Sequence, residues 1–384
     1  MTYRRAWAEI NLANLAYNLK VVRENIALST RLMGIVKADA YGHGAVPVAR
    51  TLLEGGVDAL GVAICEEGIE LRENGIMAPV LIMGFTPDPL LHEVVRLNLT
   101  QTVFAVSGAN ALAVQAASLG KQATVHIKID TGMSRLGFLP NPESIQSICE
   151  IAANPNLNVA GIYTHLATSD EPGSSFMFEQ LARFEWVLGE LKKRGLDIPA
   201  KHISNSGAVS HMLAPFCGGE NPYQKFFLDN VRVGIMLYGY PPSAEMIETC
   251  AHLGLKPVMR LMSRVSMVKE LEAGVGISYG HIYKTTRKSK IAVLPIGYAD
   301  GYPRRLSRGG RVLINGKFAP ISGAICMDQC MIDITDIPDV NPCDPVVMMG
   351  EKGICADNLA DIVGTISYEI LCGIGKRVPR VYLS

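Results

Sequence analysis

Apolar residues in the first 240 positions alternate between two spacings. Leu12, Leu15, Leu19 and Val22 recur every three or four residues, which is the spacing of one helix face. The run 31–37 is apolar between Arg31 and Lys37 and predicts a buried strand. Runs of this kind recur, with helix-like segments between them. They cover 31–37, 59–63, 79–85, 101–106, 123–130, 158–165, 201–204 and 231–239.

Eight apolar strands that alternate with helices predict a parallel sheet covered by helices. Eight units in about 230 residues are typical of a closed (β/α)8 barrel. An open doubly wound sheet is the alternative, but no GxGxxG motif follows the first strand. We therefore predict an α/β protein whose N-terminal (β/α)8 barrel spans 9–240.

The pattern changes after residue 240. Residues 241–250 predict a linker, and beyond them short alternating runs are bounded by Gly and Pro, which is typical of strands and turns. One helix is predicted near 356–364. The prediction is a mainly β C-terminal domain over 241–384, to which residues 1–8 are assigned.

Charge and cysteine content exclude several classes of protein. Lys and Arg together number 36, as do Asp and Glu, so the chain has no basic excess for nucleic acid or an anionic membrane. No apolar run is long enough to span a bilayer, and the first residues lack the apolar segment of a signal peptide. The nine cysteines are scattered without a CxxC pair, so we expect reduced thiols, no metal site and a cytoplasmic location.

The polar residues at the predicted strand ends are the candidates for chemistry, because the strand C-termini carry the active site of a barrel. They include several cations and would form an anion-binding rim. Backbone N–H groups near Gly207 and Gly234, with the Ser206 hydroxyl, would hold a phosphate after strands seven and eight. In chain order these polar residues are Lys37, Lys128, Asp130, Arg135, Thr164, His165, Asn205, Ser206 and Arg232.

Lys37 is expected to lie among these cations. Desolvation and like charge both lower a lysine pKa from about 10.4, and a neutral amine forms a Schiff base with an aldehyde. A phosphate site beside such a lysine indicates pyridoxal phosphate. Singly, each residue has a simpler explanation: a solvated Lys37, a core His165 or an ion-paired Arg232. The hypothesis that these residues form one site depends on the predicted barrel, which would bring them to the same rim.

The second domain places Tyr or Asp residues in turns that contain Gly, within 274–283, 295–304, 324–335 and 364–369. Gly lets the backbone approach a ligand closely. A tyrosine in such a turn usually packs and hydrogen-bonds, but one that faced a cationic pocket would be a candidate acid or base. His43 is interpreted as structural.

Several segments together resemble the alanine racemases, pyridoxal-phosphate enzymes with a fold-type III barrel and a C-terminal β domain. They include "VKADAYGHG" (36–44), "KIDTGMSRLG" (128–137), "GISYG" (276–280), "PIGYADGYPR" (295–304) and "CMDQ" (326–329), in family order. The resemblance implies two-base interconversion of L- and D-alanine, which supplies D-alanine for peptidoglycan. A serine or broad-specificity racemase is the first alternative. A non-catalytic pyridoxal-phosphate barrel is the second, and "GISYG" and "CMDQ" argue against it.

The resemblance also implies roles for residues. Lys37 would hold the cofactor as an internal aldimine and act as one catalytic base, and Tyr279 would be the second base. Arg135 would contact the cofactor and the substrate carboxylate, and Lys128 matches a position that is carbamylated in some members. Tyr298 and Met327 would belong to the substrate site. The cofactor-binding residues would be Lys37, Tyr41, Arg135, His165, Asn205, Ser206, Arg232, Gly234, Ile235 and Tyr368.

Alanine racemases resembling this chain are homodimers with shared active sites. The resemblance therefore implies that the partner subunit donates Tyr279 and Met327 to each site. The expected partners are a small amino acid and a second copy of the chain, without nucleic acid or membrane.

Overall fold

The computed structural model describes residues 4–216 and 220–384. A first strand, β1 (Ala6–Asn11), precedes a closed barrel of eight parallel strands. The predicted (β/α)8 barrel is therefore confirmed, although its first strand ends two residues before the predicted end at 37. The barrel strands are β2 (Arg31–Ile35), β3 (Ala59–Val62), β4 (Val80–Ile82), β5 (Thr100–Val103), β6 (Ala123–Lys128), β7 (Leu157–Tyr163), β8 (Ala200–His202) and β9 (Asn230–Val233).

Amphipathic helices cover the outside of the barrel. The helix Ala45–Glu54 buries Val48, Ala49 and Leu52 and ends at Gly55, as its apolar spacing and the following glycines predict. The other helices bury similar faces against the strands. Barrel helices span Ala45–Glu54, Cys65–Glu73, Asp88–Arg96, Val106–Ser118, Pro142–Ala152, Phe176–Lys193 and Ser206–Leu213, and Leu12–Glu24 precedes β2.

The rest of the chain is mainly β, which confirms the predicted second architecture. Its strands are β10 (Met259–Arg264), β11 (Met267–Leu271), β12 (Gly276–Ile277), β13 (Tyr283–Lys284), β14 (Ser289–Leu294), β15 (Arg311–Ile314), β16 (Lys317–Pro320), β17 (Cys330–Asp333), β18 (Pro345–Met349) and β19 (Arg380–Leu383). A six-stranded sheet has the order β16-β15-β18-β10-β1-β19, beside a three-stranded β11-β14-β17 sheet and a β12-β13 pair. Helices Ala356–Val363 and Ser367–Gly373 follow β18.

Both ends of the chain meet in the six-stranded sheet. β1 runs antiparallel to β10 and parallel to β19. Next to this sheet, the buried carboxylate of Asp300 accepts hydrogen bonds from Arg5 at 2.6 and 3.0 Å and from the Gly297 N–H at 3.1 Å. The Asp of the 295–304 motif therefore has a structural role, since it fastens the N-terminal segment to the second half.

The predicted linker at 241–250 contains helical structure. Ala244–Met246 forms a 3-10 turn, and the short helix Ile247–Ala251 follows it directly. Met246 and Cys250 are buried in the core, so this connection packs against the barrel and is not an extended tether.

Within residues 4–216 and 220–384, no helix combines the length and apolar character needed to cross a bilayer. The described cysteines are free thiols, and Cys217 lies outside the described residues.

Candidate active site

One cavity of about 410 Å³ opens at the C-terminal ends of the barrel strands. Barrel geometry brings the strand-end residues together there although they are distant in sequence. The second half contributes Tyr368 from the helix Ser367–Gly373. The predicted site residues that line this cavity are Lys37, Tyr41, Lys128, Arg135, His165, Asn205, Ser206, Arg232, Gly234, Ile235 and Tyr368.

Lys37 begins a turn of left-handed helix directly after β2. Residues 38 to 41 have φ values of 51–54°, although none of them is glycine. Each such residue costs about 1–2 kcal/mol relative to a right-handed conformation. The surrounding structure must therefore hold this turn in place, and strain of this kind is typical of functional sites.

Three side-chain hydrogen bonds hold the left-handed turn in place: two bind its backbone, and one links its Asp39 side chain to the next helix. Glu67 accepts a hydrogen bond from the Ala38 N–H at 2.6 Å, and Asp39 Oδ1 accepts one from the Ala45 N–H at 2.8 Å. Arg380 of β19 donates to the Gly42 carbonyl at 2.9 Å. The position of Lys37 thus depends on a neighbouring barrel unit and on the C-terminal strand.

Glycine is required at the end of the turn. Gly42 has φ 79°, and a Cβ there would lie 2.5 Å from the Leu371 carbonyl oxygen. The fully buried His43 follows, with Nδ1 3.0 Å from the Ala40 carbonyl and 2.9 Å from the Tyr41 carbonyl. These contacts agree with the structural interpretation of His43.

The cavity lowers the pKa of the Lys37 amine. Burial is the main cause, and the nearby Arg135 guanidinium adds to it. Neutral amine, the nucleophilic form, is therefore more abundant than for a solvated lysine.

Arg232 is a buried cation bound only by neutral acceptors among the described residues. It donates to His202 Nδ1 at 2.9 Å, the Thr164 carbonyl at 2.8 Å and the Ile203 carbonyl at 3.0 Å, with His165 Nδ1 3.5 Å away. Burial lowers its pKa to about 10, which still leaves it charged at neutral pH. The cavity therefore carries a positive charge that suits an anionic or electron-rich ligand.

Asp130 shapes the loop that carries Arg135. Its carboxylate accepts hydrogen bonds from the N–H groups of Gly132 and Ser134 at 3.0 Å and of Arg135 at 2.9 Å. Burial alone would raise the pKa of Asp130, but these donors outweigh it and lower the pKa. Asp130 thus stays ionised and orders the loop.

Lys128 lies under this loop without a hydrogen-bond partner in the described part of the chain. Its buried Nζ sits 4.4 Å from the centroid of the Tyr163 ring. Burial, followed by the charges of Arg232 and Arg135, lowers its pKa well below the ordinary value. The protonated form of this amine is therefore disfavoured relative to that of a solvated lysine.

The strand ends β8 and β9 form an anion cradle. Asn205 Oδ1 caps the helix Ser206–Leu213 by accepting from the Ala208 N–H at 3.1 Å, and Ser206 Oγ accepts from the Gly234 N–H at 2.9 Å. A Cβ at Gly234 would lie 2.5 Å from the Tyr41 hydroxyl oxygen. Helix N-termini favour phosphate, so this corner matches the predicted phosphate site.

Three predicted residues lie away from the cavity. Tyr279, Met327 and Tyr298 belong to turns of the second half, and none of them lines the cavity wall. Their side chains are 72%, 53% and 42% exposed, so all three are open at the surface of the chain. The described chain alone does not bring them to Lys37.

Sequence reasoning missed two sets of residues that support the site. Glu67 lies three positions into a helix, where an acidic residue is usual, so its contact with Ala38 had no separate signal. His202 and His126 lie inside short strands, where the apolar pattern draws attention away from them. An inward-facing polar residue in an apolar strand is the signal that would have found the two histidines.

Comparison with known proteins identifies the family. The model described as alanine racemase, N-terminal domain, matches residues 10–242, and the model described as alanine racemase, C-terminal domain, matches residues 258–382. The chain belongs to the alanine racemase family. This family depends on pyridoxal phosphate.

Curated alanine racemases align with nearly the whole chain. Alanine racemase 1 of Clostridium acetobutylicum is 45% identical over 383 residues, which cover 99% of this chain and 96% of that protein. The alanine racemase of Clostridium perfringens is 46% identical over 382 residues, covering 99% and 95%.

Solved alanine racemases share the fold. The structure from Clostridium difficile 630 has a TM-score of 0.94 and 42% identity, with 100% of this chain and 97% of that chain covered. The Bacillus anthracis alanine racemase, solved with bound L-Ala-P, has a TM-score of 0.90 and 34% identity, with 100% and 96% covered.

The cavity of this alanine racemase family member fits pyridoxal phosphate. Lys37 supplies a buried amine of lowered pKa for the aldehyde, and the cradle at Ser206 and Gly234 suits the phosphate. Arg232, which lines the same cavity, would face the ring nitrogen. The donor set therefore matches each polar end of the cofactor.

Proposed function

We propose that this protein racemises alanine with pyridoxal phosphate and supplies D-alanine for peptidoglycan in the cytoplasm. The observation that carries the proposal is the joint placement of Lys37, Arg135 and Arg232 around one cavity in a chain that matches alanine racemases end to end. The bound cofactor supplies an electron sink that makes the proton on the substrate α-carbon acidic.

The residues of this chain move that proton and hold the substrate. Lys37 Nζ exchanges the proton on one face of the alanine α-carbon, and the Tyr279 hydroxyl exchanges it on the opposite face. Arg135 binds the substrate carboxylate by charge-assisted hydrogen bonds. Arg232 donates toward the ring nitrogen and, because a guanidinium has no acceptor, does not take up a proton from it.

Tyr41, His165, Asn205, Ser206, Gly234, Ile235 and Tyr368 complete the cofactor site. Tyr41, Ser206, Gly234, Ile235 and Tyr368 hold the phosphate. His165 and Asn205 hold Arg232 and the anion cradle in position. Their shared cavity wall and the helix N-terminus at Ser206 support these roles.

The working form is a homodimer with shared active sites. Two-base chemistry needs a second base opposite Lys37, and Tyr279, which the family resemblance assigns to that role, does not line Lys37's own cavity. The exposure of Tyr279, Met327 and Tyr298 supports their insertion into the partner's site, where Met327 and Tyr298 contact the substrate and line its entrance.

The chain divides into a cofactor-binding barrel, 9–240, and a β-rich domain, 241–384 with residues 1–8. The family matches at 10–242 and 258–382 support this division. β1 (Ala6–Asn11) belongs to the second domain's sheet, so residues 9–11, predicted from the sequence to belong to the barrel, pair with the second domain instead. Residues 1–3 lie outside the described residues.

Purified protein with added cofactor should convert L-alanine to D-alanine faster than it converts L-serine. Discrimination against a slightly larger substrate side chain corresponds to a transition-state binding difference of about 1–3 kcal/mol. The kcat/KM for alanine should therefore exceed that for serine by about 10- to 200-fold. A coupled assay specific for D-amino acids measures both substrates side by side, with cofactor-free protein as the control. Equal or faster serine turnover would indicate a serine or broad-specificity racemase. Bound cofactor without turnover would indicate a non-catalytic barrel.

Lys128 is carbamylated in the working enzyme. Its neutral Nζ attacks CO2, an N–C bond forms, and the amine loses one proton, which leaves a carbamate of charge −1. That charge would pair with Arg135 and Arg232, which line the same cavity as Lys128.

Protein equilibrated with 13C-labelled bicarbonate should therefore show a carbamate NMR signal that Lys128→Met removes. Because an interaction with a charged group is worth about 1.5–3 kcal/mol, kcat/KM for alanine should fall by about 10- to 100-fold in this variant. Lys121→Met, on the barrel exterior, should change neither result. A Lys128→Met protein with unchanged kcat/KM would contradict the carbamate's role.

A further inference from the structure

A line of side chains crosses the barrel interior below Arg232. Arg232 Nη1 lies 2.9 Å from His202 Nδ1 on β8, and His202 Nε2 lies 2.9 Å from His126 Nδ1 on β6. The ring of Tyr163 stacks on His202, with centroids 4.6 Å apart and planes 3° from parallel. Arg232, His202 and His126 thus form one hydrogen-bonded series, which we call the Arg–His–His chain.

The Arg–His–His chain leads away from the active site to a second cavity. His126 lines a cavity of about 370 Å³ at the N-terminal ends of the barrel strands, together with Thr124 and Asn230. β7 makes room for the His126 ring at Gly161, where a Cβ would lie 2.5 Å from ring atoms. The barrel is therefore built to accept an imidazole here.

In the intact Arg–His–His chain the hydrogen bonds run in one direction only, and this direction needs Arg232 as the donor at one end and His126 as the acceptor at the other. A guanidinium only donates, so His202 Nδ1 must be the unprotonated acceptor. Neutral His202 then carries its proton on Nε2 and donates it to His126 Nδ1, which must also be unprotonated. His126 consequently carries its own proton on Nε2.

A proton added to either histidine would break this order. If His126 were protonated, its Nδ1–H would face the Nε2–H of His202. If His202 were protonated, its Nδ1–H would face an N–H of Arg232. Burial and the charge of Arg232 lower the pKa of His126 to about 4 and hold the pKa of His202 well below its ordinary value. Among the described residues, the charged groups that lower the pKa of the pair are Arg232 and, while its amine is unmodified, Lys128.

We propose that His126 and His202 are positioning residues that hold Arg232 charged and oriented toward the cofactor ring. His202 is the acceptor that orients Arg232, and His126 fixes His202 in the one tautomer that can accept. The inference rests on the proposed racemase function for its catalytic consequence. The tautomer itself is a property of the protein alone.

The first test reads the tautomers directly. In the full protein without cofactor, 15N NMR of imidazole nitrogens should show His202 and His126 with bare Nδ1 and protonated Nε2. His126→Leu should give His202 a mixed or reversed tautomer, whereas His126→Asn, whose Oδ1 can replace the lost acceptor, should restore it. Thr124→Val changes the same cavity without touching the chain and should leave the spectrum unchanged.

The second test uses the cofactor-loaded enzyme. His126→Leu should lower kcat about tenfold while the KM for alanine stays within about twofold, since Arg232 acts in the reaction more than in substrate binding. It should also shift the pH titration of the cofactor's absorbance, and His126→Asn should recover most of both changes. A purely structural role for His126 would leave that titration unmoved.

The inference is overturned if wild-type His202 carries its proton on Nδ1, or if His126→Leu leaves the tautomer of His202 unchanged. If His126→Leu does not fold, His126→Asn and Thr124→Val still allow the wild-type tautomer assignment to be tested. Failure of the wild type to racemise alanine would count against the proposed function alone, because the NMR result needs no substrate.

Discussion

Replacement of Lys37 by alanine is expected to lower alanine racemisation by about 10⁴-fold or more. Lys37 supplies both the amine that binds the cofactor aldehyde and the base for one face of the substrate. The other lysine of the cavity, Lys128, is buried beneath the loop of Arg135 and is proposed to be carbamylated. Steady-state rates in both directions measure the loss.

A second measurement separates this effect from loss of folding. Borohydride reduction should fix the cofactor covalently to the wild type but not to Lys37→Ala, and peptide mass spectrometry locates the attachment. Lys20→Ala, on an exposed helix face, should keep both activity and labelling. Covalent labelling that persists in Lys37→Ala would show that another lysine holds the cofactor.

Tyr279→Phe is expected to lower racemisation by about 10²- to 10⁴-fold, because the ring remains but its exchangeable proton is lost. If active sites are shared, two inactive variants should restore each other. In a mixed dimer of Lys37→Ala and Tyr279→Phe, one site receives Lys37 from one subunit and Tyr279 from the other. Random mixing should therefore recover about one quarter of wild-type turnover.

The mixing experiment has a matched control. Lys37→Ala mixed with the double variant Lys37→Ala, Tyr279→Phe contains no site with both bases and should recover nothing. Subunits are exchanged by co-expression with two different tags, which allows mixed dimers to be isolated. Mixed dimers of the two single variants that stay inactive would place Tyr279 in the same subunit's site as Lys37.

The barrel and its cavity could be predicted from the sequence because both depend on local patterns. Each strand is a short apolar run, and each candidate follows the end of such a run, where barrel geometry collects side chains. Lys37, Arg232 and the Ser206 cradle were found in this way. Family resemblance added Tyr41, Ile235 and Tyr368, which carry no such signal and which also line the cavity.

The left-handed turn could not be predicted from its own residues. Ala38, Asp39, Ala40 and Tyr41 have no intrinsic preference for positive φ, which only glycine adopts freely. The conformation comes from Glu67 and Arg380, which lie 29 and 338 residues from the backbone groups they bind. Long-range contacts of this kind produce no periodic pattern in the local sequence.

The role of Tyr279 could not be predicted from the sequence pattern for a different reason. The sequence pattern identifies Tyr279 only as a tyrosine in a turn that contains glycine, and such a tyrosine usually packs and hydrogen-bonds. A single chain leaves it on the surface, 72% exposed. In the proposed dimer, the position of Tyr279 relative to Lys37 would depend on a neighbouring subunit, which neither the sequence pattern of one chain nor its fold contains.

The bond between Arg380 and Gly42 has a consequence for how the protein matures. A ribosome makes the complete barrel, through β9, well before it makes Arg380. The nascent barrel can thus close while the strained turn that carries Lys37 still lacks its last support. We expect the lysine to reach its final position only after β19 joins β1, so cofactor attachment is a late event that reports on completion of the whole chain.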